Sequence, residues 1–261
     1  MIDPYQPHGT RFSAERVSIH ASRHDAGAAA AADAAAAIRS AIEQRGEARV
    51  ILAAAPSQEP LLDHLVREAG VPWERVHLFH MDEYVGLPSG APQAFAGWLT
   101  RRLAALPILR FEALRPDPDP AAELRRYAEL LAAGPIDLAC LGVGVNGHLA
   151  FNEPGECRLD DPATLRLTDL HLASRQQQVD ERLFATLADV PRQAITVTVP
   201  GLLNSTRAVL CAFGNAKAAG VRRMLTGPVD ESCPASAIRT HPDAQVHLDA
   251  AAAALLSETV G

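Results

Sequence analysis

No block of Lys or Arg in this chain stands apart from acidic residues, and the formal net charge of its 261 residues is −7. That leaves no electrostatic footprint for nucleic acid, which is therefore not expected as a partner. The four cysteines, Cys140, Cys157, Cys211 and Cys233, form no C-x-x-C pair, and no nearby His completes a zinc spacing. Reduced thiols and no metal site are the expectation. No apolar run suffices to span a bilayer, because the Ala-rich stretch 26–38 is short, weakly apolar and broken by Asp33. The opening residues MIDPYQPHGT hold an acid and two prolines but no apolar segment of a secretory signal. A cytoplasmic protein without membrane contact is expected.

What is present is the composition of a packed domain, 48% apolar and 21% charged. A chain of this length buries about three quarters of the surface its unfolded form exposes, so no disulfide or metal staple is needed. No repeat or charged linker divides it, and residues 1–261 read as a single domain. Short β-branched runs alternate with helical patterns, which predicts an α/β fold with a mostly parallel sheet and helices on both faces. Strands are expected at Arg16–His20, Arg49–Ala54, Val76–His80, Ile136–Leu141, Ala194–Val199, Arg207–Ala212 and Gln245–Leu248. The strongest helix is Asp25–Arg45, with Asp25 as N-cap and Gly46 as its stop. Others are expected at Glu59–Ala69, Gln93–Leu103, Pro120–Ala132, Arg175–Leu187, Ala216–Leu225 and Asp249–Leu256.

Ligands of open parallel sheets sit beyond the carboxyl ends of the strands, so the segments that follow the strands are the ones to read for chemistry. After Val76–His80 comes MDEYVGLP, whose adjacent Asp82 and Glu83 either supply a general base or form a solvated acidic turn. After Ile136–Leu141 comes GVGVNGHLAFNEPG. Its glycines permit close backbone approach, and His148 can move a proton near neutral pH with Asn146 or Glu153 fixing its tautomer. This run does not open a helix and so is no dinucleotide fingerprint. AAAPSQEP places Ser57 and Gln58 at a helix start, fit to receive phosphate, although Ser57 reads equally well as an N-cap. Lys217 also begins a helix after a strand, where a cation opposes the helix dipole unless an anion binds.

At MDEYVGLP and GVGVNGHLAFNEPG, in that order and at matching separation, the chain resembles the glucosamine-6-phosphate deaminase/isomerase family. The resemblance runs from the Ala-rich helix to CPASAIRTHPDAQVHLD. It implies a modified Rossmann-like fold, no organic cofactor, and a small-molecule sugar phosphate as partner; a homo-oligomer stays open. By position Asp82 matches the base that carries a proton between C2 and C1, His148 the ring-opening acid/base and Glu153 its carboxylate partner. Asn146 stands where many members carry Asp. Arg175 and Lys217 match the cationic phosphate ligands, whereas AAAPSQEP replaces a Gly-Gly-Thr turn. The 6-phosphogluconolactonases share the fold but would show Ser-Leu-Phe-Pro and Asp-Glu-Arg where this chain has Phe151-Asn152-Glu153-Pro154 and Asp82-Glu83-Tyr84. A sugar-phosphate sensor would come with a DNA-binding domain, for which too few residues precede the first strand. The implied reaction is glucosamine 6-phosphate and water to fructose 6-phosphate and ammonia, with other hexosamine phosphates as alternatives.

Overall fold

Alanine propensity and small side chains on one stripe allow the longest helix to lie close against its neighbours. In the computed structural model, which describes residues 13–68, 70–88 and 90–256, β1 (Val17–His20) leads into this helix, α1 (Arg23–Arg45). There follow β2 (Ala48–Leu52), α2 (Glu59–Leu65), β3 (Val76–His80), β4 (Asp82–Tyr84), α3 (Phe95–Arg102), β5 (Arg110–Glu112), α4 (Pro120–Ala132) and β6 (Ile136–Leu141). The second half supplies β7 (Leu165–Asp169), α5 (Leu172–Asp180), β8 (Gln193–Val197), α6 (Val199–Leu203), β9 (Ser205–Ala212), α7 (Ala218–Thr226) and β10 (Ala244–Asp249). The N-terminal segment read above and the predicted helix end at Ala69 lie outside the described residues.

Seven strands form a sheet in the order β1-β10-β9-β6-β2-β3-β5, and every neighbouring pair is parallel. Strands buried on both faces read as continuous apolar runs, and the whole of β2 and β6 is buried accordingly. Side chains alternate between two cores. Val50 and Leu52 face one with α1, α2 and α3; Ile51 faces the other with Tyr127 of α4 and Val221 and Met224 of α7. The chain goes from β2 outward to β3 and β5, then returns to the opposite side of β2 for β6. The order therefore reverses between β2 and β6, which opens a crevice at their carboxyl ends.

Several expectations are corrected. Ala194–Val199 is not in the parallel sheet: β8 pairs antiparallel with β4 and β7 in a separate three-stranded sheet. Asp82–Tyr84 is the strand β4 of that sheet rather than a loop, because backbone pairing to β8 extends it. The α1 N-cap is Ser22, whose Oγ accepts from the Asp25 N–H at 3.1 Å, while Gly46 takes the left-handed stop at φ +83°. The helix predicted at Arg175–Leu187 spans Leu172–Asp180, and residues 250–256 form turns rather than a helix. Asp33, the polar break in the Ala-rich run, anchors α1 to the sheet by taking the His247 Nε2 contact at 2.9 Å.

Gly27 shows how tightly α1 lies on α2. Gly→Ala within a helix ordinarily stabilises by about 1 kcal/mol. Here a Cβ would stand 2.6 Å from the Pro60 carbonyl carbon and oxygen, and rigid backbone cannot yield as a flexible side chain does. Gly27→Ala is expected to destabilise by about 1–3 kcal/mol, measured as a lower urea midpoint. An unchanged or raised midpoint would contradict the contact.

Candidate active site

The carboxyl ends of β2, β3, β6 and β9 meet in one cleft with about 510 Å³ of empty space counting its open mouth. Five of the eight residues singled out from the sequence line it: Ser57, Gln58, Asp82, His148 and Lys217. After β2 the chain makes a single 3₁₀ turn, Pro56–Gln58, without a side-chain cap, so Ser57 is not an N-cap. Gln58 is buried and its Oε1 accepts from Cys211 Sγ at 3.2 Å. Its Nε2 lies over Gly142, where a Cβ would stand 2.5 Å away. A glycine is required there for the turn and the β6 loop to approach each other.

Both carboxylates after β3 are buried, and they divide two tasks. Glu83 accepts from the N–H groups of Tyr84 at 3.0 Å, Phe95 at 3.1 Å and Ala96 at 2.9 Å. It thus satisfies the open N-terminus of α3 from a distance. Burial pushes the Glu83 carboxyl up to about 7, with these donors pulling the other way. Asp82 faces the cleft instead, and burial together with the charge of Glu83 holds its carboxyl well above the usual carboxylate range.

The β6 loop is organised around His148. Asn146 Oδ1 accepts from the His148 backbone N–H at 3.1 Å, and its Nδ2 donates to Glu153 Oε2 at 3.1 Å. The same oxygen is 3.8 Å from His148 Nδ1. Asn146 and Glu153 thus stand behind the imidazole rather than in the cleft lining. Burial, then the nearby Lys217 and His171, push the His148 ring down to about 3, which keeps it neutral. The ring lies on the backbone of Gly144: a Cβ there would sit 2.2 Å from the ring atoms Cε1 and Nε2.

The structure does not bring Arg175 into this group. Its Nη2 donates to the Leu187 carbonyl at 2.6 Å and the Val190 carbonyl at 2.9 Å, so the guanidinium secures the turns after α5. Lys217 lies in the 3₁₀ turn preceding α7, buried, with Nζ 3.7 Å from Glu181 Oε1. Four participants escaped sequence reasoning, all supplied by α5 and its end. Ser174 Oγ meets His148 Nδ1 at 2.9 Å; Gln178 Oε1 accepts from Tyr84 Oη at 2.8 Å; Gln177 Nε2 donates to Glu181 Oε1 at 2.9 Å. A Gln run on a predicted helix gives no chemical signal of its own, and only proximity to Arg175 pointed to this segment.

Residues 21–248 match the family model described as glucosamine-6-phosphate isomerases/6-phosphogluconolactonase. The chain belongs to this family. Among its relatives, a glucosamine-6-phosphate deaminase of Listeria monocytogenes is 35% identical over 208 residues, covering 78% of this chain and 86% of the relative. A glucosamine-6-phosphate deaminase of Streptococcus equi subsp. zooepidemicus is 37% identical over 180 residues, 68% of this chain and 74% of that one. Among solved structures, a monomeric glucosamine-6-phosphate deaminase aligns with a TM-score of 0.83 at 29% identity, over 92% of this chain and 99% of its own. A 6-phosphogluconolactonase of Shewanella baltica aligns at 0.72 and 19% identity over 92% and 99%, a likeness of fold. No helix among the described residues is long and apolar enough to cross a membrane.

His80 holds the strand end that carries Asp82. Fully buried, it accepts the Leu114 N–H on Nε2 at 2.8 Å, and burial lowers its ring to about 3. The folded ring resists a proton that the unfolded chain takes up below about 6.5. The corresponding stability is complete above that value and is lost progressively as pH falls toward 3. Gln at this position retains an acceptor but does not titrate. Between pH 7 and pH 5 the parental protein should lose about 2 kcal/mol more than His80→Gln, measured by urea unfolding at the two pH values. Parallel losses would contradict a neutral, proton-resistant His80.

Proposed function

We propose that the chain is a cytoplasmic enzyme converting glucosamine 6-phosphate and water to fructose 6-phosphate and ammonia. The observation that carries this reading is the meeting of Asp82, His148 and Lys217 in one cleft, in a chain 35–37% identical to deaminases. Four unpaired cysteines, three of them buried, suit a reducing compartment.

On this reading the phosphate sits at Lys217 and the backbone N–H groups of the Ser57–Gln58 turn. Arg175 takes no part, since its guanidinium is engaged by carbonyls. The neutral His148 moves the proton between the anomeric hydroxyl and the ring oxygen that opens the sugar. Ser174 and Glu153 face its Nδ1, and Asn146 holds its backbone N–H and the Glu153 carboxylate. Asp82 then removes the C2 proton of the open-chain aldehyde and delivers it at C1, and the resulting imine takes up water and releases ammonia. Asp82 must be ionised to act, and the substrate ammonium favours that form. The reading needs only proton carriers, and the chain's own side chains supply them. A lactonase needs no base at C2, and the 6-phosphogluconolactonase of Shewanella baltica resembles this chain at only 19% identity.

The test is to incubate the purified protein with a panel of hexosamine 6-phosphates and measure ammonia and ketose phosphate separately. Glucosamine 6-phosphate should yield both in equal amounts. Asp82→Asn should lower turnover about 10²–10⁴-fold and abolish exchange of the C2 hydrogen with deuterated solvent. The parental kcat/KM should fall as pH drops through the raised Asp82 value, well above the usual carboxylate range. Near-parental turnover by Asp82→Asn, or ketose without ammonia, would reject the assignment.

A further inference from the structure

Lys217 is not free to meet an anion. Its ammonium is buried, 3.7 Å from Glu181 Oε1, and side-chain exposure is 8% for the lysine and 17% for the glutamate. Glu181 is held in this position from three directions. Its backbone N–H closes the end of α5 on the Gln177 carbonyl at 2.8 Å, and Gln177 Nε2 donates to its Oε1 at 2.9 Å. The next residue, Arg182, turns the chain away with a left-handed backbone at φ +61°. Its second oxygen, Oε2, is buried without a hydrogen-bond partner among the described residues. A carboxylate that leaves one oxygen unsatisfied is not placed for its own hydrogen bonding. What it does satisfy is the charge of Lys217: burial lowers the ammonium from the usual lysine range, and Glu181 pulls it back up.

We propose that Glu181 is a built-in counter-ion of Lys217 that a phosphate must displace, so that it sets both the strength and the pH range of anion binding. The proposal rests on the reading of Lys217 as the phosphate anchor. In the empty cleft the carboxylate keeps a buried lysine charged and ready. When an anion arrives, two negative groups compete for one cation in a site of low polarity, and the carboxylate yields. Glu181 therefore weakens phosphate binding at low pH, where Lys217 is charged in any case. At high pH it sustains binding, where Lys217 alone would have lost its proton. It is a positioning residue, in contact with the anchor rather than with the reacting carbons.

The experiment is calorimetric titration of inorganic phosphate into the parental protein, Glu181→Gln and Lys217→Ala at pH 6 and pH 9. At pH 6 Glu181→Gln should bind about ten-fold tighter than the parental protein, the effect expected of one like charge removed several ångströms from the anion. At pH 9 this advantage should vanish or reverse, because without its carboxylate the buried lysine deprotonates at lower pH. A purely structural role would change thermal stability but not this crossing of affinities. Glu181→Asp, with its charge retained one methylene further back, should lie between the two proteins and serves if Glu181→Gln does not fold. Parental affinity of Glu181→Gln at both pH values overturns the proposal. If Lys217→Ala binds phosphate as well as the parental protein, the anchor reading fails with it; if only Lys217→Ala loses binding, the counter-ion proposal alone fails.

Discussion

The three backbone N–H groups gathered by Glu83 are the contact on which the cleft depends. Asp82 and Glu83 are neighbours in sequence, and a strand sends neighbours to opposite faces. Because β4 is extended by its pairing with β8, Glu83 turns toward the start of α3 and Asp82 turns toward the cleft. One carboxylate thus closes a helix while the other is left facing the cleft. Were the segment the loop expected from its Gly and Pro, both side chains would be at liberty to reach water. The cleft would then lack a carboxyl raised by burial.

The rest of the site follows a similar economy of position. Glycines stand where another backbone or ring occupies the space of a Cβ: Gly142 under Gln58 and Gly144 under His148. Buried ionisable groups are then set against each other. His148 is pushed toward neutrality by burial and by the charge of Lys217, and burial lowers Lys217 while Glu181 opposes that shift. Each member's state is a consequence of the others, so no single side chain carries the electrostatics of the cleft.

Much of this was legible from residue order. Short β-branched runs revealed the strands β2, β3, β6 and β9, although only β2 and β6 are buried along their whole length. The segments after them placed Asp82, His148 and Lys217 correctly at strand ends. The small antiparallel sheet was not legible. β4 has three residues, two of them acidic, and β7 is largely exposed with Arg166, Thr168 and Asp169 along it. Their extended state comes from pairing with β8, a long-range contact that local propensity does not encode. The helix α5 was expected, but its contacts at the cleft were not, because nothing local marks the buried Gln177 and Gln178 as partners of Glu181 and Tyr84. Arg175 was singled out by its position in a motif, which does not encode where a long side chain points; in the structure its Nη2 turns to the Leu187 and Val190 carbonyls.

Asp82 belongs to the small sheet, while His148 and Lys217 belong to loops of the large one. The two share both apolar cores, and hydrogen bonds tie them at the cleft. The Val197 N–H donates to the Met81 carbonyl at 2.7 Å, the Phe151 N–H to Thr196 Oγ1 at 3.1 Å and Asn152 Nδ2 to the Val197 carbonyl at 2.9 Å. The molecule therefore resembles an instrument whose working parts stand on two mounts bolted to one bed. Its working distance is kept by these bonds together with the packed side chains that both sheets contribute to the two cores. Asn152, inside the FNEP segment, is then a fastener in the mechanical sense, its amide bonded both to the Leu149 carbonyl of its own loop and to the Val197 carbonyl of the small sheet.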